Sequence, residues 1–217
     1  MKQVAVILSG SGVYDGAELH EAVLTLLAIE KAGAAYQCFA PDIAQLHVVN
    51  HLTGEVAEGE TRNVLVESAR IARGNIKPVT ECDVNAFDVL IVPGGFGVAK
   101  NLCTFAVDGD KCTFNNDVLS VCKSFARNKK PAAYACIAPA LAAKVYGNHV
   151  KLTIGNDDAT ANGLNALGAT HVNCVVDDVV VDNERKLVTT PAYMLAENIS
   201  QAHDSISKMV NTVLAMK

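Results

Sequence analysis

The sequence predicts an α/β fold: an open, doubly wound, mainly parallel sheet sandwiched by helices. Three observations carry this prediction. Short apolar runs such as "VAVIL" (4–8) and "FDVLIVPGG" (87–95) alternate with segments of helical periodicity. The runs are apolar along their length rather than at every second residue, as in strands buried on both faces. Glycine or proline falls where elements must stop. At 217 residues the chain is long enough for one substantial core, so residues 1–217 are expected to form a single domain.

Lys2 to Leu8 read as the first strand, and "SGSGVYDG" (9–16) is a glycine-rich bend before a helix from about Glu18 to Lys31. In that helix Leu19, Val23, Leu26 and Leu27 have helical spacing, and Gly33 supplies the stop. Ala34 to Ala40 form a second strand, closed by Pro41 and Asp42. A polar connection from Asn50 to Gly59 leads to a helix near Thr61 to Arg73, with Val64, Leu65, Ser68, Ala69 and Ala72 inward. Phe87 to Gly95 form a buried strand ending in a Pro-Gly-Gly turn. Asn115 to Arg127 form the next helix, stopped by Lys129, Lys130 and Pro131; "AAYAC" (132–136) is a short strand, and Pro139 to Val145 a helix. The remainder reads as "KLTIG" (151–155), a small helix around Thr160 to Leu167, "HVNCVVDDVVVD" (171–182) with a turn or bulge near its paired aspartates, "KLVTTPAYM" (186–194), and a terminal helix from about Leu195 to Ala215.

Composition removes several function classes. The net charge is −5, and the lysines and arginines are interspersed along the chain, which disfavours nucleic-acid binding. No apolar run near the start reaches the length of a membrane span or signal-peptide core, and with the first strand starting almost at Met1 no targeting extension is expected unless one has been removed. Seven cysteines, Cys38, Cys82, Cys103, Cys112, Cys122, Cys136 and Cys174, form no CxxC pair and are odd in number, which indicates free thiols in a reducing compartment. A soluble cytoplasmic protein without membrane or nucleic-acid partners is expected. "LSGSGVYDG" carries neither the dinucleotide fingerprint nor a Walker lysine, so no cofactor is expected. Asp157 and Asp158, or Asp177 and Asp178, lack a third ligand at suitable spacing, so no metal is expected either.

In a doubly wound sheet, loops at the carboxyl ends of neighbouring strands converge on a crevice, which directs attention to those after Leu8, Val92 and Ala135. Cys136 follows a strand and precedes the small residues "IAPA". Two readings stand open: a buried structural thiol, or a nucleophile whose thiolate is stabilised by helix amides, with the Ile137 N–H facing oxyanion charge. Gly94 and Gly95 either simply make the turn or bring amides to a bound carbonyl. Glu18, His20 and Glu21 include a possible proton carrier, although glutamates at a helix start also follow from the helix dipole, and His20 reads more simply as a solvated residue.

The segments "LSGSGVYDGAELHEA", "NHLTGE", "ETRNVLVESARIARG", "VPGGFGVAKNL", "ACIAPA" and "VTTPAYM" together resemble the ElbB-like, isoprenoid-biosynthesis-associated branch of the DJ-1/PfpI and class I glutamine-amidotransferase-like superfamily, in order and over essentially the whole chain. The resemblance implies a flavodoxin-like sandwich with a reactive Cys136 at a nucleophile elbow, and Glu21 as the carboxyl group that hydrogen-bonds to it. Gly95 and Ile137 resemble the oxyanion amides, and His20 is carried as a possible assistant in orientation or deprotonation. The implied activity is a weak, glutathione-independent glyoxalase that turns glyoxal or a related 2-oxoaldehyde into a 2-hydroxy acid through a Cys136 hemithioacetal; the alternative is a reactive-cysteine redox sensor, quality-control or interaction protein. Relatives commonly pair, so a homodimer is implied. Two departures matter. The late strand "VTTPAYM" has no histidine for an amidotransferase triad, and Ile137 stands where the peptidase-like branch has histidine; His20 and His51 are the remaining imidazoles to consider.

Overall fold

The computed structural model describes residues 1–217. The chain runs β1 (Gln3–Ile7), α1 (Leu19–Lys31), β2 (Ala35–Ala40), β3 (Val49–Asn50), β4 (Glu55–Val56), α2 (Val64–Ile71), β5 (Ile76–Pro78), β6 (Val89–Val92), α3 (Phe105–Asp108), α4 (Asn116–Arg127), β7 (Ala132–Ala135), α5 (Pro139–Tyr146), β8 (Lys151–Leu152), α6 (Asp158–Ala166), β9 (Thr170–His171), β10 (Val180–Asp182), β11 (Leu187–Thr190) and α7 (Ile199–Ala215). Seven strands form the central sheet in the order β10-β11-β7-β6-β1-β2-β5. All its pairings are parallel except β10 with β11. This is the expected flavodoxin-like α/β sandwich.

The order has a functional consequence. From β1 the chain steps outward to β2 on one side and later to β6 on the other, so the carboxyl ends of β1 and β6 border the switch point where crevices form. Val4 pairs with Tyr36 and with Val89, which sets the three strands level. The loops after β1 and β6 are laced together: Phe96 N–H donates to the Val13 carbonyl at 2.9 Å, Gly97 N–H to that of Gly16 at 2.8 Å, and Glu18 N–H to that of Gly94 at 2.9 Å.

Two cores lie on the two faces of the sheet. On one, Ala22, Leu26 and Ile29 of α1 and Ile206, Met209 and Val210 of α7 cover Val4, Val6 and Ile91. On the other, Val118, Cys122 and Phe125 of α4 and Leu141 of α5 cover Ala5, Ile7, Leu90 and Tyr134. Each fully buried side chain of the Val, Leu, Ile or Phe kind contributes roughly 1.5–3 kcal/mol against exposure. Helix starts obey the expected chemistry: Asn63, Asn115, Asp157 and Asn198 each accept an N–H of the first turn.

The second half departs from the sequence reading. "KLTIG" does not join the main sheet; β8 pairs only with β9. Within "HVNCVVDDVVVD" only the two ends are strand, with a turn between them. The terminal helix begins at Ile199 rather than Leu195, because Ala192–Met194 form a tight 3-10 turn and Asn198 caps α7. The edge strand β5, the β3–β4 hairpin and a π-helical turn at Val98–Leu102 have no counterpart in the sequence reading. On α2 the inward face includes Glu67, which the apolar pattern omits; it is buried against Arg70, whose Nε lies 2.9 Å from its Oε2.

Candidate active site

Cys136 closes β7 and opens the turn into α5, with φ of 58°, a left-handed conformation strained for a residue with a side chain. Its own N–H donates to the Thr190 carbonyl at the end of β11 (3.0 Å), and Pro139 starts α5 three residues on. The backbone is therefore fixed from both sides, and the sulfur is presented toward the end of β6. Cys136 is 8% exposed, a buried position.

The Gly95 and Ile137 amides and the Glu21 carboxyl group lie close enough to the Cys136 sulfur to act on its charge. Glu21, fully buried on the first turn of α1, accepts the Gly94 N–H on Oε2 at 2.9 Å and the Tyr193 N–H on Oε1 at 3.0 Å. The helix start is itself pinned by Glu18, whose Oε2 accepts the Glu21 N–H at 2.7 Å. Gly94 has to be glycine: a Cβ there would stand 2.4 Å from Cys136 Cβ and 2.6 Å from Glu21 Oε2. Gly95, at φ of 103°, would drive a Cβ to 2.3 Å from Glu18 N.

Burial pushes Cys136 well above the ordinary thiol range and the neighbouring Glu21 charge adds to the rise, against the Gly95 and Ile137 amides. Burial likewise raises Glu21 to about 7, opposed by the Tyr193 and Gly94 amides and assisted by Glu18. With the thiol raised and Glu21 near 7, the resting site at neutral pH holds a protonated sulfur beside a partly ionised carboxyl group rather than a free thiolate.

His20 lies elsewhere. It is exposed on α1, and its Nδ1 pairs with Tyr193 Oη at 2.7 Å, not with the sulfur. It touches the pair indirectly, since the backbone of the same Tyr193 binds Glu21. His51, in the turn between β3 and β4, packs against the β1–α1 loop, stacked on Tyr14 at 5.0 Å between ring centres, accepting the Tyr14 N–H at 3.2 Å and lying 3.8 Å from the buried Asp15 carboxylate. Sequence reasoning missed Tyr193 and Asn101. Asn101 ties the loop together, donating to the Ser9 and Asp15 carbonyls at 3.0 and 2.9 Å and accepting the Leu46 N–H at 2.9 Å. Nothing local in "VAKNL" marks that role; the "VTTPAYM" segment did carry Tyr193. No group of three or more His, Cys, Asp or Glu side chains is placed to hold a metal ion.

No family model matches the chain. Individual proteins do. The human protein named glutamine amidotransferase-like class 1 domain-containing protein 3, mitochondrial, is 47% identical over 223 residues, covering 99% of this chain and 83% of the human one. The zebrafish ES1 protein, mitochondrial, is 34% identical over 231 residues, covering 98% of this chain and 85% of its own. Among solved structures, the isoprenoid biosynthesis protein with amidotransferase-like domain from Ehrlichia chaffeensis superposes with a TM-score of 0.92 at 35% identity, covering 99% and 98% of the two chains. Drosophila melanogaster DJ-1beta, at 18% identity and a TM-score of 0.57 over 99% and 95%, shares the fold. These relatives correct the cytoplasmic expectation: the human, rat and zebrafish proteins are all named mitochondrial. Bulk charge and cysteine count register a reducing environment, not which compartment supplies it. No helix is long and apolar enough to cross a membrane.

Proposed function

The chain belongs to the ES1 family of glutamine amidotransferase-like class 1 domain proteins, and from that premise we propose that it converts glyoxal or a related 2-oxoaldehyde to a 2-hydroxy acid, without glutathione, through a hemithioacetal on Cys136. One observation carries the reading: a single sulfur on a strained elbow, with a buried carboxyl group raised to about 7 on one side and two backbone amides on the other. A carboxylate poised near neutral pH suits proton transfer in both directions. As the Cys136 sulfur bonds to the aldehyde carbon, its proton passes to Glu21 and on to the new hydroxyl oxygen. Glu21 then takes the C–H proton of the sulfur-bearing carbon, giving an enediol, and returns it to the neighbouring carbon. The thioester that results is hydrolysed by one water, releasing the hydroxy acid and the thiol. Glyoxal plus water thus becomes glycolic acid with no external oxidant or reductant. The Gly95 and Ile137 amides stabilise charge developing beside the sulfur, and the His20–Tyr193 pair, which borders Glu21 through the Tyr193 backbone, acts as a positioning element.

Monitoring product formation from glyoxal and methylglyoxal tests the reading. Wild type should turn over repeatedly and saturably, with kcat/KM rising as pH climbs through about 7 and Glu21 loses its proton. Cys136→Ala should be inactive with its melting temperature preserved, and Glu21→Gln should fall by about 10²–10⁴. Full turnover by Cys136→Ala would overturn the covalent route. Consumption of one aldehyde per chain with no released product would instead make this a reactive-thiol protein.

A further inference from the structure

At the end of β7 opposite Cys136 lies a groove of about 360 Å³ that the aldehyde chemistry does not use. Its walls are the last turns of α4 and α5 and the turn between β10 and β11. Lys123, Arg127, Lys129, Arg185 and Lys186 line it, with Glu184 as the single acidic side chain. Five of the chain's 18 lysines and arginines therefore converge on one groove in a protein of net charge −5.

Ordinary structural needs account for only part of this cluster. Arg185 is engaged, with Nη1 donating to the buried Asp182 Oδ2 at 3.2 Å and Nη2 to the Asn148 carbonyl at 3.2 Å. Arg127, in the last turn of α4, complements the carbonyl end of that helix. Lys129 follows directly on the cap of α4 and ends that helix, whereas neither reason applies to Lys186, which lies in a strand turn. Both hold φ of 51°, where glycine is at home and a side chain is strained. None of Lys123, Arg127, Lys129 and Lys186 forms an ion pair; the groove's salt bridges all belong to Arg185. The scaffold beneath them is fixed: Lys129 N–H donates to the Ala126 carbonyl and Ala132 N–H to the Lys186 carbonyl, each at 3.0 Å.

We propose that this groove binds a small organic diphosphate. Unpaired cations on two facing walls, the α4 end and the β10–β11 turn, are more than one phosphate group requires and match two. Val145 and the Tyr146 ring supply an apolar wall for the organic part.

Calorimetric titration of the full chain with ADP, inorganic pyrophosphate and inorganic phosphate, at low and at physiological salt, tests the proposal. ADP and pyrophosphate should each bind one to one, ADP more tightly and phosphate most weakly, with affinity falling as salt rises. The double variant Lys129→Gly/Lys186→Gly should lose about tenfold or more, the effect of charge-assisted hydrogen bonds; glycine suits both backbone positions, and an unchanged far-UV spectrum would confirm the fold. Absence of saturable binding by all three probes, or equal affinity in the double variant, would overturn the site. Pyrophosphate binding as tightly as ADP would overturn the organic subsite, and an oligonucleotide that displaces ADP at lower concentration would assign the groove to nucleic acid instead.

Discussion

Glu21 sits at zero exposure, and a carboxyl group so placed favours its protonated form. Its value moves from an ordinary 4.5 in the unfolded chain to about 7 in the folded one. The folded state thus binds this proton more tightly, and its contribution to stability is complete below about 4.5 and lost as pH rises to about 7. The whole change is on the order of 3 kcal/mol. Urea unfolding across this range should show wild type losing stability relative to Glu21→Gln as pH rises, the two curves running parallel outside the window. Parallel curves throughout would mean that Glu21 titrates like a solvated carboxyl group. The residue scale also explains why Gly94 comes after Pro93: the approach of Cys136 and Glu21 leaves no room for a Cβ.

Between elements, the link that matters joins β11 to α7. Ser205 of α7 reaches back to the strand end, its Oγ lying 2.8 Å from Thr190 Oγ1 and accepting the Ala192 N–H at 3.1 Å. That holds the turn on which Tyr193 offers its N–H to Glu21. Ser205→Ala should therefore cost about 1–3 kcal/mol by leaving buried groups unpaired. Because the Tyr193 amide holds Glu21 down, loosening it should also move the midpoint of the activity–pH curve upward. A variant equally destabilised with its midpoint unmoved would show that α7 packs beside the site without positioning it. The expected helix start at Leu195 concealed this link, since that reading ran the helix back through "LAEN" (195–198) and left Ala192–Met194 at the end of the strand segment rather than in a turn of their own.

Across the whole molecule the sheet stands between two cores. Ile154 lies in one and Ile206 in the other, both fully buried. Ile154→Val and Ile206→Val should each cost about 0.5–1.5 kcal/mol. With the sheet between the two sites, the double variant should match the sum within about 0.5 kcal/mol; a larger departure, measured by urea unfolding, would mean that strain crosses the sheet. The same two-sidedness made the strands legible. Runs such as Val4–Leu8 and Val89–Val92 are apolar throughout because helices cover both faces, whereas β5, β8 and β9 at the margins carry no such pattern.

By itself the sequence determined the α/β alternation, the central strands and the principal helices, because strand burial and tight turns leave local signatures in residue type, and its resemblance to the ElbB-like branch marked Cys136, Glu21, Gly95 and Ile137 as a group. Only the tertiary structure decided which partners meet: that the Glu21 carboxyl group accepts the Gly94 and Tyr193 amides, that His20 pairs with Tyr193, and that lysines scattered along the chain gather into one groove. Those facts depend on contacts between residues far apart in the chain, as with Glu21 and Tyr193, and on desolvation, which acts through everything packed around a group rather than through its neighbours in sequence.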